Sequence, residues 1–235
     1  DESSLSSTPK ISSSATKTSD VGNYVISGSN ATSNHYSISY STGVLSITKA
    51  PLTAKVENTS KEYGSSNPSF CMEFVGLKNG EKTPVWSSSP SYTTSATIKS
   101  SVGEYEISAK ATPKNYELSE ISSGILKITK APLTLQANDL SKTYYSENPE
   151  LTYTCNGLKY WDDISVLTVG PILSTNAKKE SNAGIYEITI KGASAKNYVI
   201  TYKDGHMTVQ KRPLYVSVGN YERNYGEDNP QFTIE

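Results

Sequence analysis

The sequence predicts an all-β protein made of tandem small β-sandwich modules of immunoglobulin-like type, strung in an elongated array. Three observations lead there. Lys49-Ala50-Pro51-Leu52 returns as Lys130-Ala131-Pro132-Leu133 and again as Lys211-Arg212-Pro213-Leu214, a period of 81 residues. Apolar residues alternate with period two almost wherever they are dense, which is the signature of half-buried strands. Turn formers separate these stretches: Asn79-Gly80, Ser123-Gly124, Asp204-Gly205 and the Asn-Pro pairs.

Taken in order through one period, the strands are short. Leu133, Leu135 and Ala137 alternate with Thr134 and Gln136, and Leu214, Val216 and Val218 repeat that pattern one period later. Tyr105, Ile107 and Ala109 alternate with glutamates, serine and lysine, and Leu126 and Ile128 alternate with Lys127 and Thr129. About seven strands result per period; in the second full copy they fall near 133–138, 141–145, 150–156, 166–174, 184–191, 197–202 and 205–210. Alternation with one apolar face suits antiparallel sheets packed on a core. The stretch Leu158–Ile164 is the place for a helical turn, with Asp162 or Asp163 able to cap it. A small β-sandwich follows, with a β-grasp arrangement carrying one short helix as the alternative.

The repeat divides the chain into 1–50, the second half of a module; 51–131 and 132–212, two full modules; and 213–235, the first part of another. No Gly/Ser linker separates them. Pro51, Pro132 and Pro213 each stand where one module's last strand runs into the next module's first, because proline lacks a donor and ends pairing. Joints this short restrict motion and predict a stiff rod of neighbouring repeats. The two partial modules are nearly complementary, so head-to-tail self-association by strand addition is a further expectation.

Composition excludes several classes. Lys+Arg total 22 against 23 Asp+Glu, a net charge of −1, so no basic field exists to attract nucleic acid or an anionic membrane. No apolar run reaches the roughly 18–20 residues of a membrane span. Cys71 and Cys155 lie at non-equivalent positions of different modules, one expected outward and one inward, which argues against a disulfide. His35 and His206 read as surface imidazoles, and Asp162-Asp163 has no calcium-loop spacing, so neither a metal nor a cofactor is expected. No nucleophile elbow, phosphate loop or dinucleotide fingerprint occurs, and the module 51–131 holds no histidine to serve as a base, so no enzyme is expected.

Tyrosine dominates the aromatic residues, with 17 against 3 Phe. Tyr24, Tyr105 and Tyr186 each follow a glycine by two residues at a strand start, as in a tyrosine corner, where the ring packs inward and the hydroxyl bonds backbone. Residues that return at one phase build the module. Tyr160-Trp161 differs: it replaces the Asn79-Gly80 turn of the preceding module, and two aromatics at an exposed tip suit a glycan or protein ligand. Packing against the local helical turn or the neighbouring module is the competing role.

Ile-Thr-Lys-Ala-Pro-Leu-Thr at 128–134, Lys142-Thr143-Tyr144 with Asn148-Pro149, and the later Gly184, Tyr186, Ile188 and Lys196-Asn197-Tyr198 together resemble the MBG domain of YGX type. Tyr145 departs from that pattern, because it stands where Gly64 and Gly226 follow their tyrosines. The resemblance implies a repeat module of large bacterial surface or secreted proteins: an extracellular or cell-surface spacer or adhesin, binding host glycan or matrix protein if adhesive. It brings no catalytic residues.

Overall fold

The computed structural model describes residues 4–234. The chain divides into two compact units at Thr129/Lys130. In the first, β1 (Lys10–Ser13), β2 (Gly22–Ser29) and β3 (Gly43–Ile47) form an antiparallel sheet in that order. A full sandwich follows, from β4 (Ala50–Val56), β5 (Thr59–Glu62), β6 (Met72–Val75), β7 (Trp86–Thr93), β8 (Gly103–Pro113), β9 (Tyr116–Ser122) and β10 (Gly124–Thr129). One sheet runs β6-β4-β9 and the other β5-β10-β8-β7.

The core comes from the alternation. Leu52, Ala54 and Val56 point inward from β4, Ile107 from β8, and Leu126 and Ile128 from β10, all buried. Each large apolar side chain of this set stabilises the fold by about 1.5–3 kcal/mol on burial. Phe74 and Trp86 complete the layer, with ring centroids 5.7 Å apart.

The pairing corrects one expectation, because the sheets are mixed. β4 pairs with β9 in parallel, and β5 pairs with β10 in parallel. The reason is a corner made twice. The chain leaves the first sheet for the second at Glu57–Asn58, and again at Ser123, so the two long segments run side by side in one direction. Gly124 sits at this crossing: a Cβ there would lie 2.7 Å from the Val56 carbonyl oxygen. The Asn58 Oδ1 accepts from the Ile125 N–H at 2.8 Å and ties the two corners together.

The second unit repeats this plan. β11 (Ala131–Ala137), β12 (Leu140–Thr143), β13 (Tyr153–Asn156), β14 (Leu167–Val169), β15 (Ile172–Thr175), β16 (Gly184–Lys191), β17 (Ser194–Ala195), β18 (Tyr198–Lys203) and β19 (Gly205–Gln210) give sheets β13-β11-β18 and β12-β19-β16-β15, plus the pair β14-β17. Ala131, Leu133, Leu135 and Ala137 are fully buried along β11. The corner recurs: Asp139 Oδ1 accepts from the His206 N–H at 2.7 Å, and a Cβ on Gly205 would meet the Ala137 oxygen at 2.5 Å.

Two differences separate the copies. In β9 the register against β4 skips Ser119, a bulge that the continuous β11–β18 ladder lacks; the extra residue is offset by a connection before β9 that is one residue shorter, so the period of 81 is kept. The single strand expected over 166–174 is broken at Gly170-Pro171, because proline cannot donate to the ladder, and it becomes β14 and β15. The helical turn is a 3₁₀ turn at Ile164–Val166, capped by Asp163, whose carboxylate accepts from the Ser165 N–H at 2.8 Å.

The partial modules are less complete. Leu45 on β3 is 40% exposed where its equivalent Leu126 is 0% exposed, since residues 1–50 contain no counterpart of β4 or β5 to cover it. The strand expected at Leu214, Val216 and Val218 does not form. Among the described residues of 211–234 there is only an isolated bridge, Val218 to Ile234, which is the counterpart of the Ala137–Tyr153 pair, the first of the β11–β13 ladder.

Candidate functional site

Each full module is pinned by polar side chains at one end of its sandwich. Lys61, on β5, occupies an inward position and is 8% exposed. Its ammonium donates to the Ser65 carbonyl at 2.9 Å and the Thr97 carbonyl at 2.7 Å. Burial holds its pKa below the ordinary lysine value. Lys142 repeats the arrangement, donating to Ser146 at 3.0 Å and Lys178 at 2.6 Å. Arg223, one period later, donates to the Glu227 carbonyl at 3.0 Å, the position equivalent to Ser65 and Ser146.

The loop these cations hold is fixed from other sides. The amide nitrogens of Asn67 and Asn148, the residues before Pro68 and Pro149, donate to the Ala96 and Ala177 carbonyls at 2.8 and 2.7 Å. Ser19, Ser100 and Ser181 each accept from an N–H three residues earlier at 2.8 Å. Tyr24, Tyr105 and Tyr186 donate from their hydroxyls to the carbonyls of Asp20, Ser101 and Asn182, four residues back, at 2.8, 2.8 and 3.0 Å. Pro51 and Pro132 lie at the second position of β4 and β11, and their carbonyls would sit 2.8 Å from a Cβ on Gly76 or Gly157, both at positive φ. Pro213 lies outside any strand.

A second recurring device holds the loop that carries Tyr160-Trp161. In the first full module, buried Tyr116 accepts from the Lys78 N–H at 2.9 Å and donates to Glu81 at 2.7 Å. In the second, buried Tyr198 accepts from the Lys159 N–H at 3.0 Å and donates to Asp162. Between these anchors a turn closes from Lys78 O to the Glu81 N–H, and from Lys159 O to the Asp162 N–H. The first turn takes positive φ at Asn79 and Gly80. The second presents Tyr160, 99% exposed, with Trp161 half-buried beside it. Asp162 and Asp163 are thus divided between an anchor and a cap.

In the first unit, the join between 1–50 and the full module is clamped. The Asp20 carboxylate accepts from Lys114 at 2.6 Å and from the Asn115 amide at 2.8 Å, and Asn115 accepts from the Val21 N–H at 3.1 Å. The Lys114 bond, then the Asn115 bond, hold the Asp20 carboxyl below the usual carboxylate range.

The remaining candidates stand apart. His206 is 61% exposed, and its Nδ1 lies 3.4 Å from Asp139, not beside Asp204, whose carboxylate instead accepts from the Ile190 N–H. Both cysteines are free thiols, Cys71 exposed and Cys155 half-buried. A hydrogen bond to Glu57 raises the Cys71 pKa, and burial raises that of Cys155, so neither is an activated thiolate. Among the described residues no group of three or more His, Cys, Asp and Glu could hold a metal ion, and no helix is long and apolar enough to cross a membrane.

Sequence reasoning missed the pinning cations, the corner side chains Asn58 and Asp139, and the tyrosine anchors Tyr116 and Tyr198. The signal for the first was present: Lys61, Lys142 and Arg223 recur at a fixed period, and the first two are buried.

Sandwiches pinned identically in successive copies define a tandem β-sandwich repeat protein. The chain belongs to the MBG domain family, YGX type, whose model matches residues 1–46, 52–127 and 133–208. No curated protein matches it with significance.

Proposed function

We propose that this chain is a non-catalytic spacer segment of a bacterial cell-surface or secreted protein, projecting other domains from the surface. The observation that carries this reading is the clamped join in the first unit. Only Thr48 and Lys49 separate β3 from β4, and Asp20, Lys114 and Asn115 bind across the join. A joint of two residues with three polar contacts leaves little freedom for a hinge. The recurring pins support it too, because residues repeated at one phase maintain every module alike, whereas a reaction centre needs a single constellation. Small-angle X-ray scattering on the chain tests it. A rod-like pair-distance distribution is expected; a compact or broadly flexible ensemble overturns the reading.

A second reading, adhesion, is favoured by Tyr160. Its ring is fully exposed on a loop already fastened by Tyr198 and capped by Asp163. An aromatic displayed on an ordered loop loses little entropy on binding. Matrix-protein and glycan arrays probed with the chain and with its Tyr160→Ala/Trp161→Ala variant decide it: a saturable ligand lost in the variant supports adhesion, and no ligand leaves the spacer role alone.

A further inference from the structure

Beside the clamped join, an open cleft of about 390 Å³ lies within the first unit. That volume is within the range of small-molecule sites, roughly 300–1,000 Å³. Its two sides come from the loop between β1 and β2 and from the loop between β6 and β7, and both are tied to the start of β9. Asn115 accepts from Val21 on one side, and Tyr116 accepts from Lys78 and donates to Glu81 on the other. The cleft is therefore preformed.

Its chemistry is specific. Val21 and Ile47 give it an apolar part, and Thr18 and Asn79 supply hydroxyl and amide groups. Lys17 and Lys78 both line it, are exposed, and among the described residues have no carboxylate partner within ion-pair distance. The acid beside them, Glu81, already accepts the Tyr116 hydroxyl. Apolar surface suits the C–H face of a sugar ring, hydroxyl and amide groups suit its hydroxyls, and two exposed ammonium groups suit a carboxylate.

We infer that this cleft binds a carboxylated saccharide unit of the uronic acid class. The inference is independent of the spacer reading and of the Tyr160 loop. Lys17 and Lys78 hold the carboxylate, Thr18 and Asn79 the ring hydroxyls, and Val21 and Ile47 the ring face.

The test is titration of the ¹⁵N-labelled chain with sodium glucuronate, with glucose and sodium acetate as separate arms. Glucuronate is expected to shift the amides of Thr18, Val21, Ala50 and Asn79 saturably, while either alternative binds at least about tenfold more weakly. The Lys17→Ala/Lys78→Ala variant should weaken glucuronate at least about tenfold and leave the rest of the spectrum unchanged, since both lysines are exposed. Added salt should weaken binding to the parent chain, as it screens the ammonium–carboxylate attraction. Equal shifts from acetate would reduce the site to an anion cluster, and equal shifts from glucose would remove the role of the lysines. Either result, or no saturable shift, overturns the inference.

Discussion

The Lys61 ammonium donates to the Thr97 carbonyl across 36 residues of chain, at 2.7 Å, from a position that alternation assigns to the core. A charge this far inside a module is stable only while hydrogen-bonded. Its partner carbonyls belong to loops, Ser65 and Thr97, that have no strand to satisfy them. Lysine therefore acts here as a backbone receptor, and the loop it closes is the one that Asn67, Ser100 and Tyr105 also bind.

Lys61→Met keeps most of the apolar stem and removes the donor. Two carbonyls lose the ammonium, although the Thr97 carbonyl keeps the Ser100 N–H at 3.2 Å, and the expected destabilisation is about 1.5–3 kcal/mol, the scale of a hydrogen bond to a charged group. Urea unfolding measures it. Hydrogen exchange should rise first over residues 94–102. An unchanged midpoint would mean that water replaces the ammonium at no cost.

Tyr145 takes φ of 67°, in the left-handed region, where Gly64 and Gly226 take 81° and 92° at the equivalent positions. A non-glycine residue there carries strain of about 1–2 kcal/mol. Tyr145 recovers part of it, because its N–H donates to the Lys179 carbonyl at 3.1 Å and its ring lies 5.4 Å from the Lys179 ammonium. Tyr145→Gly should therefore stabilise the second unit by less than about 1 kcal/mol, and Gly64→Tyr should destabilise the first by about 1–2 kcal/mol. Thermal melts of the two variants must move in opposite directions for this account to stand.

These positions show what the sequence makes legible. Alternation reports faces, so the inward sets Leu52, Ala54, Val56 and Leu133, Leu135, Ala137 are readable from residue type alone. It does not report partners. The parallel pairing of β4 with β9 depends on two corners 66 residues apart, Glu57 and Ser123, meeting side by side. Asp139 beside His206 is invisible for the same reason, because the contact spans 67 residues. Lys61 misleads by type, since a charged residue in a short strand normally faces water. The Tyr160-Trp161 tip was legible as a turn because Asn79-Gly80 marks the same phase, but the Tyr198 anchor beneath it was not.

Acid should loosen the first unit through Asp20. Its folded pKa lies below the ordinary value because Lys114, then Asn115, bond the ionised form. A carboxyl depressed in the folded state contributes stability that is complete above the unfolded value of about 4 and is lost as pH falls through the folded value. Glu147, held down by Lys179, behaves alike in the second unit. Melting temperature against pH should thus fall below that value, and Asp20→Asn should flatten the fall for the first unit. Salt should do the same for both, since these pairs are exposed. A pH profile indifferent to Asp20→Asn would show that the bond to Lys114 holds no net stability.

The corner glycines give the sharpest structural test. Gly124 and Gly205 sit where two parallel segments cross from one sheet to the other, and the crossing brings backbone within 2.7 and 2.5 Å of the place a Cβ would occupy. The obstacles are carbonyl oxygens of Val56 and Ala137, which are held in ladders and cannot rotate away as a side chain could. Gly124→Ala must therefore push β4 and β10 apart beside buried Val56 and Leu126, and a cost of about 1–3 kcal/mol follows from overpacking of this kind. Gly80, with nothing within 4 Å of its Cβ position, is the control for a substitution limited by backbone conformation alone. Its φ of 77° makes Gly80→Asn, a residue that tolerates the left-handed region, close to neutral. If Gly124→Ala melted with the parent chain while its spectrum stayed unchanged, the corner would be looser than its geometry implies. The parallel crossing would then not be what fixes glycine at this phase of every repeat.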